Sequence, residues 1–316
     1  MAKVATEKVA KRKKRAWYKD REHMQLLTLI SPAVLLTFIF NYIPMVGIII
    51  AFKNYKFNLG IFGSNWVGFK NFEAFLSSSS FPMLLKNTVW MNVLFISTGV
   101  AAAVILAILL YQITSRKMIK TMQTILILPN FVSWVLVAYL VYIFLAPDTG
   151  TLNFILSKFG VPEVQWYATP GAWPWILTIS MIWKCVGMDS VMYYAALMGT
   201  DDAIIEAARV DGATKWQINW HILIPSLIPL VLTLTILKIG NIFRGDFGLF
   251  YNVPRNVGIL YETTDVFDTY IFRMTRDTPN FSLSSSAGLL QSVVGFVTVV
   301  LTNFASKKID PESGIF

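Results

Sequence analysis

Residues 206–225, EAARVDGATKWQINWHILIP, join an apolar segment at 173–198 to a second that begins at 222 and runs to 242. Each apolar segment has the roughly 20 residues needed to cross the hydrocarbon core of a bilayer. The polar stretch between them carries its own start and stop signals. Thr200, Asp201 and Asp202 supply side-chain acceptors suited to a helix N-cap. Residues 203–210 are good helix formers, and Gly212 suits the left-handed stop. A helix of about two turns is unstable alone, so something must hold it. Ile204, Ile205 and Ala208 can form one apolar face, Ala207 keeps the helix slim, and Glu206 lies on the other side. Such a helix suits a groove on another protein. The alternative is a plain amphipathic connector lying on the bilayer surface. Pro225 then marks the entry of the next apolar segment, where a helix tolerates proline.

The rest of the chain follows the same plan. Of 316 residues, 55% are hydrophobic and only 14% are charged, against about 25% charged in a soluble domain. Six apolar spans are expected near 26–51, 84–111, 121–145, 173–198, 222–242 and 284–304. The fold class is therefore an all-α integral membrane protein with six transmembrane helices. Residues 1–25 form a basic N-terminal segment, 26–304 the membrane domain with its polar loop at 199–221, and 305–316 a C-terminal tail. Pro32, Pro44, Pro129, Pro225 and Pro229 interrupt the spans, and these kinks should face protein or a cavity.

Lys and Arg set the orientation. Sixteen fall on the side of the N-terminus, nine of them before the first span, and nine fall on the other side. The excess places both termini and the 199–221 loop in the cytoplasm. The net charge of +9 is thus a topology signal and a lipid-headgroup contact, with no call for nucleic acid. The first apolar stretch is too long for a signal peptide and no small-residue cleavage site follows it. The outer connections at about 52–83 and 243–283 are long and aromatic, and the second should hold a short helix near 264–274.

Catalytic and metal signatures are missing. The single Cys185 excludes an internal disulfide and a multi-cysteine metal site, and reads as a buried small hydrophobe. Two histidines, His23 and His221, give poor support to a histidine-based centre. No phosphate-cradling G-x-x-x-x-G-K-[ST] loop occurs, nor H-E-x-x-H or G-x-S-x-G.

The run Glu206, Ala207, Ala208, three residues, Gly212, nine residues, Ile222 and Pro225 resembles the EAA loop of permease subunits of bacterial ABC importers. Ile224 stands where leucine is usual. The stretch FNYIPMVGIIIAFKNYKFNLGIFGSNWVGFKNF, with DVFDTYIFRM and FSLSSSAGLLQSVVGF, resembles the carbohydrate-uptake branch that imports complex oligosaccharides. The resemblance implies that residues 201–214 form a coupling helix docking onto an ATPase. It implies a second, similar permease, two ATPase subunits carrying the ATP and Mg, and an extracytoplasmic solute-binding protein. No cofactor is implied on this chain. A permease for amino acids, peptides or anions is a second reading. An ATP-independent channel or carrier is a third, which the docking loop opposes.

Candidate path residues come from polar and aromatic side chains inside spans. Lys184 and Asp189 lie in the fourth, where charge is costly. They stand roughly 140° apart around the helix and are poor partners for each other. Tyr193 follows Asp189 on one face, and Lys238 and Asn241 share a face of the fifth span. Trp183, Tyr193, Tyr194 and Asn241 suit sugar rings and hydroxyls. A cationic path lined by Lys184 and Lys238 would hint at an acidic sugar. Ion pairing between helices, snorkelling of Lys238 and interfacial anchoring of the aromatics are the competing roles.

Overall fold

A computed structural model describes residues 21–309. The basic stretch before residue 21 and the tail from 310 lie outside the described residues, and with them eight of the sixteen lysines and arginines assigned to the N-terminal side. The chain divides into a unit up to Ile49 and a unit from Ile50 onward.

The described residues of the first unit form one unbroken helical run. An α-helix, Arg21–Thr37, passes through a π-turn, Phe38–Tyr42, into a 3-10 stretch, Ile43–Phe52. Its prolines explain its local features. Pro32 lacks an N–H, so the carbonyl of Thr28 loses its helical donor. The hydroxyl of Ser31 donates to that carbonyl at 3.0 Å instead. The change of helical pitch surrounds Pro44, where the same loss recurs.

The second unit is a helical bundle. Its spans are Ser80–Tyr111, Pro170–Leu197, Lys215–Gly240 and Phe281–Phe304, plus a bent pair. Counting Met24–Phe52, five helices are long and apolar enough to cross, and six if the pair is one span. The second and fourth spans pack along their lengths, with Gly99 facing Met181. Buried Met91, Val137, Trp173, Leu177, Leu249 and Phe250 fill one core. A second core gathers Ala103, Ala107, Val186, Leu197, Leu223 and Leu227.

Two spans depart from the sequence-based expectation. The third is not one rod: Arg116–Phe131 and Trp134–Leu145 meet at 97°. Pro129 opens a 3-10 turn, and Ser133 caps the next helix by accepting from the amide of Leu136 at 3.4 Å. Helix stop and helix start stand four residues apart inside an apolar run. The fifth span begins at Lys215, not near 222. Thr214 and Gln217 form a capping box there, and the helix continues through a π-turn, Asn219–Leu223, into Ile224–Gly240. Pro225 therefore sits inside a continuing helix just after the π-turn, where its missing N–H removes one ladder bond.

Between the fifth and sixth spans the chain is structured. The expected short helix is Phe267–Arg276. Arg273 grips Asp265 through two nitrogens, at 2.9 and 2.5 Å, and stacks on Tyr261. Asn87 of the second span donates to the backbone of Asp265 at 3.1 Å. Burial works against the Arg273 cation, but its bonds to Asp265 outweigh that and hold its pKa up.

Candidate functional site

The polar stretch between the fourth and fifth spans folds as its caps dictate. The helix runs Asp202–Val210, with Asp201 accepting from the amide of Ala203 at 2.9 Å. Gly212 takes φ +79°, and the amide of Ala213 closes the end on the carbonyl of Ala208 at 2.9 Å. One edge of this helix is pinned to the bundle. Ile205 is buried, and Ala208 and Ala213 pack around the same core as Leu197 and Ile218. The apolar face is narrower than the sequence suggested: Ile204 is 54% exposed and points away from that core. With Glu206, Ala207 and Val210, itself 86% exposed, it forms an outward face. Ile222 is half-buried in the same core, and Pro225 is exposed. Trp216 and Trp220, stacked edge to face at 5.6 Å, extend the exposed apolar surface along the start of the fifth span.

The charged residues of the fourth span find partners the sequence could not name. Lys184, 8% exposed, reaches the break in the third span. Its ammonium donates to the carbonyls of Asn130 and Val132, both at 2.7 Å, and lies over the Trp134 ring. Those carbonyls end a helix and would otherwise lack donors. A cation is the favoured cap at a helix C-terminus. Asp189 pairs with Lys238 of the fifth span at 2.5 Å. Lys238 is thereby engaged in an ion pair between the fourth and fifth spans. Neither lysine offers an unengaged ammonium.

The remaining candidates are dispersed. Tyr193 is buried in the second core, its hydroxyl without a partner among the described residues. Tyr194 borders a cleft with Tyr111 and the start of the Arg116–Phe131 helix. Trp183 is exposed on the outside of its span. Asn241 ends the fifth span and lines a groove of about 590 Å³ between the fifth and sixth spans. Arg244, Gln291, Ser292 and Phe296 share that groove and escaped the sequence reading. Gly240, Gly288 and Gly295 keep its walls open, and three glycines in apolar spans were the available signal. Gln291 donates to Asp268 at 3.0 Å beside it. Burial pushes the Asp268 carboxyl up, while the amides of Gly245 and Gln291 pull it back.

Residues 99–311 match the family described as binding-protein-dependent transport system inner membrane component. The chain is 33% identical to Protein LplB of Bacillus subtilis (strain 168), over 92% of this chain and 91% of that protein. It is 32% identical to the polygalacturonan/rhamnogalacturonan transport system permease protein YteP of the same organism, over 96% and 94%. Among solved structures it resembles a chain of a bacterial ABC transporter involved in the import of the acidic polysaccharide alginate. The TM-score is 0.83 at 33% identity, covering 93% of this chain and 99% of that one. A second structure, of the bacterial alginate ABC transporter with an alginate pentasaccharide-bound periplasmic protein, gives 0.82 at 33% identity, over 94% and 98%.

Proposed function

This chain belongs to the family of binding-protein-dependent transport system inner membrane components, and from that premise we propose how it works: as the ABC importer permease through which oligosaccharides or polysaccharide fragments cross the membrane. It is a multi-pass membrane protein and a transport component, not an enzyme. It works with a solute-binding protein that delivers sugar from outside, with a second homologous permease completing the path, and with two ATPase subunits that bind ATP and Mg. The three last-named chains are inferred from the family plan. Alternating access supplies the mechanism: nucleotide-driven closure of the ATPases moves the 201–214 segment, and the bundle changes which side it opens to. Such a shift requires each ligand to bind the two states differently.

The observation that carries this reading is the 202–210 helix, capped at both ends, pinned by Ile205 and presenting Ile204, Glu206, Ala207 and Val210 outward. It sits where the fourth span hands over to the fifth, so a push on it reaches both. The test is uptake of labelled oligosaccharides by cells carrying Glu206→Lys with Gly212→Pro. Proline is confined near φ −65° and cannot take the +79° of Gly212. Uptake is expected to fall to background while the amount of protein in the membrane is unchanged. Uptake at the wild-type rate would turn the segment into a mere connector and favour an ATP-independent channel.

A further inference from the structure

A second cavity lies beyond the end of the fifth span that is farther in sequence from the 201–214 segment. It has about 210 Å³ and is lined by Val135, Ala138, Tyr139, Tyr251, Asn252, Arg255 and Asn256. Its floor comes from the Phe247–Asn252 helix and the turn that follows. Arg255 and Asn256 both adopt left-handed backbone, at φ 57° and 52°. Such a conformation is uncommon outside glycine, and two in succession store strain that concentrates at functional sites. The turn is held by the hydroxyl of Tyr261, which donates to the carbonyl and side-chain oxygens of Asn256 at 3.2 and 2.9 Å.

The side chains are set for a ligand. The Arg255 guanidinium stacks 4.1 Å from the centre of the Tyr142 ring and has no ion-pair partner among the described residues. Stacking fixes the plane of the fork while leaving its donor edge unused. Tyr251 is locked against Phe247 and Phe272, each at 5.0 Å. Asn252 uses its amide nitrogen on the carbonyl of Gly248, which leaves its side-chain oxygen unbonded. Asn256 uses its side-chain oxygen on Tyr261, which leaves its amide nitrogen unbonded. One guanidinium fork, one carboxamide oxygen, one amide nitrogen and fixed aromatic walls match a carboxylate, hydroxyls and the apolar face of a sugar ring. The volume is below the roughly 300–1,000 Å³ of drug-sized pockets, so it suits one sugar ring or a chain end.

We propose that this pocket binds a uronate residue of an acidic oligosaccharide, Arg255 holding its carboxylate. The inference rests on the oligosaccharide reading above and narrows it to sugars bearing a carboxylate. It also moves the source of acid selectivity from Lys184 and Lys238, whose charges are engaged inside the bundle, to an unpaired arginine.

The test uses the full-length chain in lipid nanodiscs and two probes that differ only at C6, tri(galacturonic acid) and galactotriose. Equilibrium dialysis should show at least a ~10-fold preference for the acidic probe, from one charge-assisted bidentate contact. Arg255→Gln should abolish that preference by weakening the acidic probe far more than galactotriose, with Arg255→Lys intermediate. No preference in the wild type, or an undiminished one in Arg255→Gln with an unaltered melting temperature, overturns the assignment. Cell uptake separates the two levels. If galactotriose uptake depends on this chain while the acidic probe does not bind, the pocket assignment fails and the importer reading stands. If deleting the chain changes uptake of neither sugar, the importer reading fails with it.

Discussion

Gly187→Ala is expected to be the most damaging single-methyl change in the fourth span. A Cβ placed on Gly187 would lie 1.8 Å from the carbonyl oxygen of Leu126 and 2.4 Å from its carbon. Both are backbone atoms, so no side chain can move aside. The helices would have to separate, and Lys184, one turn away, would lose its hold on the Asn130 and Val132 carbonyls. Overpacking of this kind costs about 1–3 kcal/mol where the core yields and more where it cannot. Folded yield by size-exclusion chromatography in detergent, with the melting temperature, reads the effect. Two controls share the chemistry without the clash. Gly99→Ala meets nothing closer than the flexible tip of Met181 at 3.5 Å, and Gly295→Ala meets nothing within 4 Å. Both should behave like wild type. Equal losses in all three would contradict close approach as the cause, since helix propensity alone favours alanine over glycine.

The second large effect is expected at the Asp189–Lys238 pair. It joins the fourth and fifth spans, the two that flank the 201–214 segment. Its side chains are 23% and 37% exposed, so the pair is neither sealed nor free. Losing one partner from a buried pair costs about 3–5 kcal/mol, and an exposed pair is worth about 0–1 kcal/mol. A value between those limits is expected. Asp189→Asn and Lys238→Met should each cut uptake severely by leaving one charge uncompensated inside the bundle. The exchange Asp189→Lys with Lys238→Asp restores opposite charges across the same gap and should recover most of the loss. Full transport by either single variant would show that the contact does not matter. An exchange no better than the singles would show that the identity of each residue, beyond pairing, is needed.

Much of this molecule was legible in its sequence because bilayers impose length. The edges of the second, fourth and sixth spans fall within about four residues of where apolar runs begin and end. The capped helix at 202–210 was legible too, since Asp201 and Gly212 announce its ends. What hydropathy cannot report is direction. Pro129 and Ser133 were visible, yet a 97° bend and a kink look alike in an apolar run. Nor can it name partners distant in sequence. The acceptors of Lys184 are carbonyls 54 and 52 residues away, and backbone carries no side-chain signal. Lys238 was read as a path residue or a snorkelling one because only its place along its own helix was visible; its partner lies 49 residues away on another. Ile204 and Ile205 were read as one apolar face because they are adjacent and equally apolar, and only the neighbouring helices decide which of them turns inward. Arg255 gave no warning at all: its left-handed backbone is a property of the turn, which no residue type there predicts.

The most direct test of coupling is a cross-link from the outward face of the 202–210 helix. Cysteine is introduced at Val210, the most exposed large apolar side chain of that helix, in a chain carrying Cys185→Ser. The transporter is purified from its own membrane with its partners, and a short thiol cross-linker is added with and without ATP. A cross-link to an ATPase subunit that changes in yield with ATP is the predicted result, with no such product from cysteine at Trp183, inside the fourth span. Recovery of an active transporter in which Val210→Cys never joins an ATPase, in either condition, would contradict coupling through this segment.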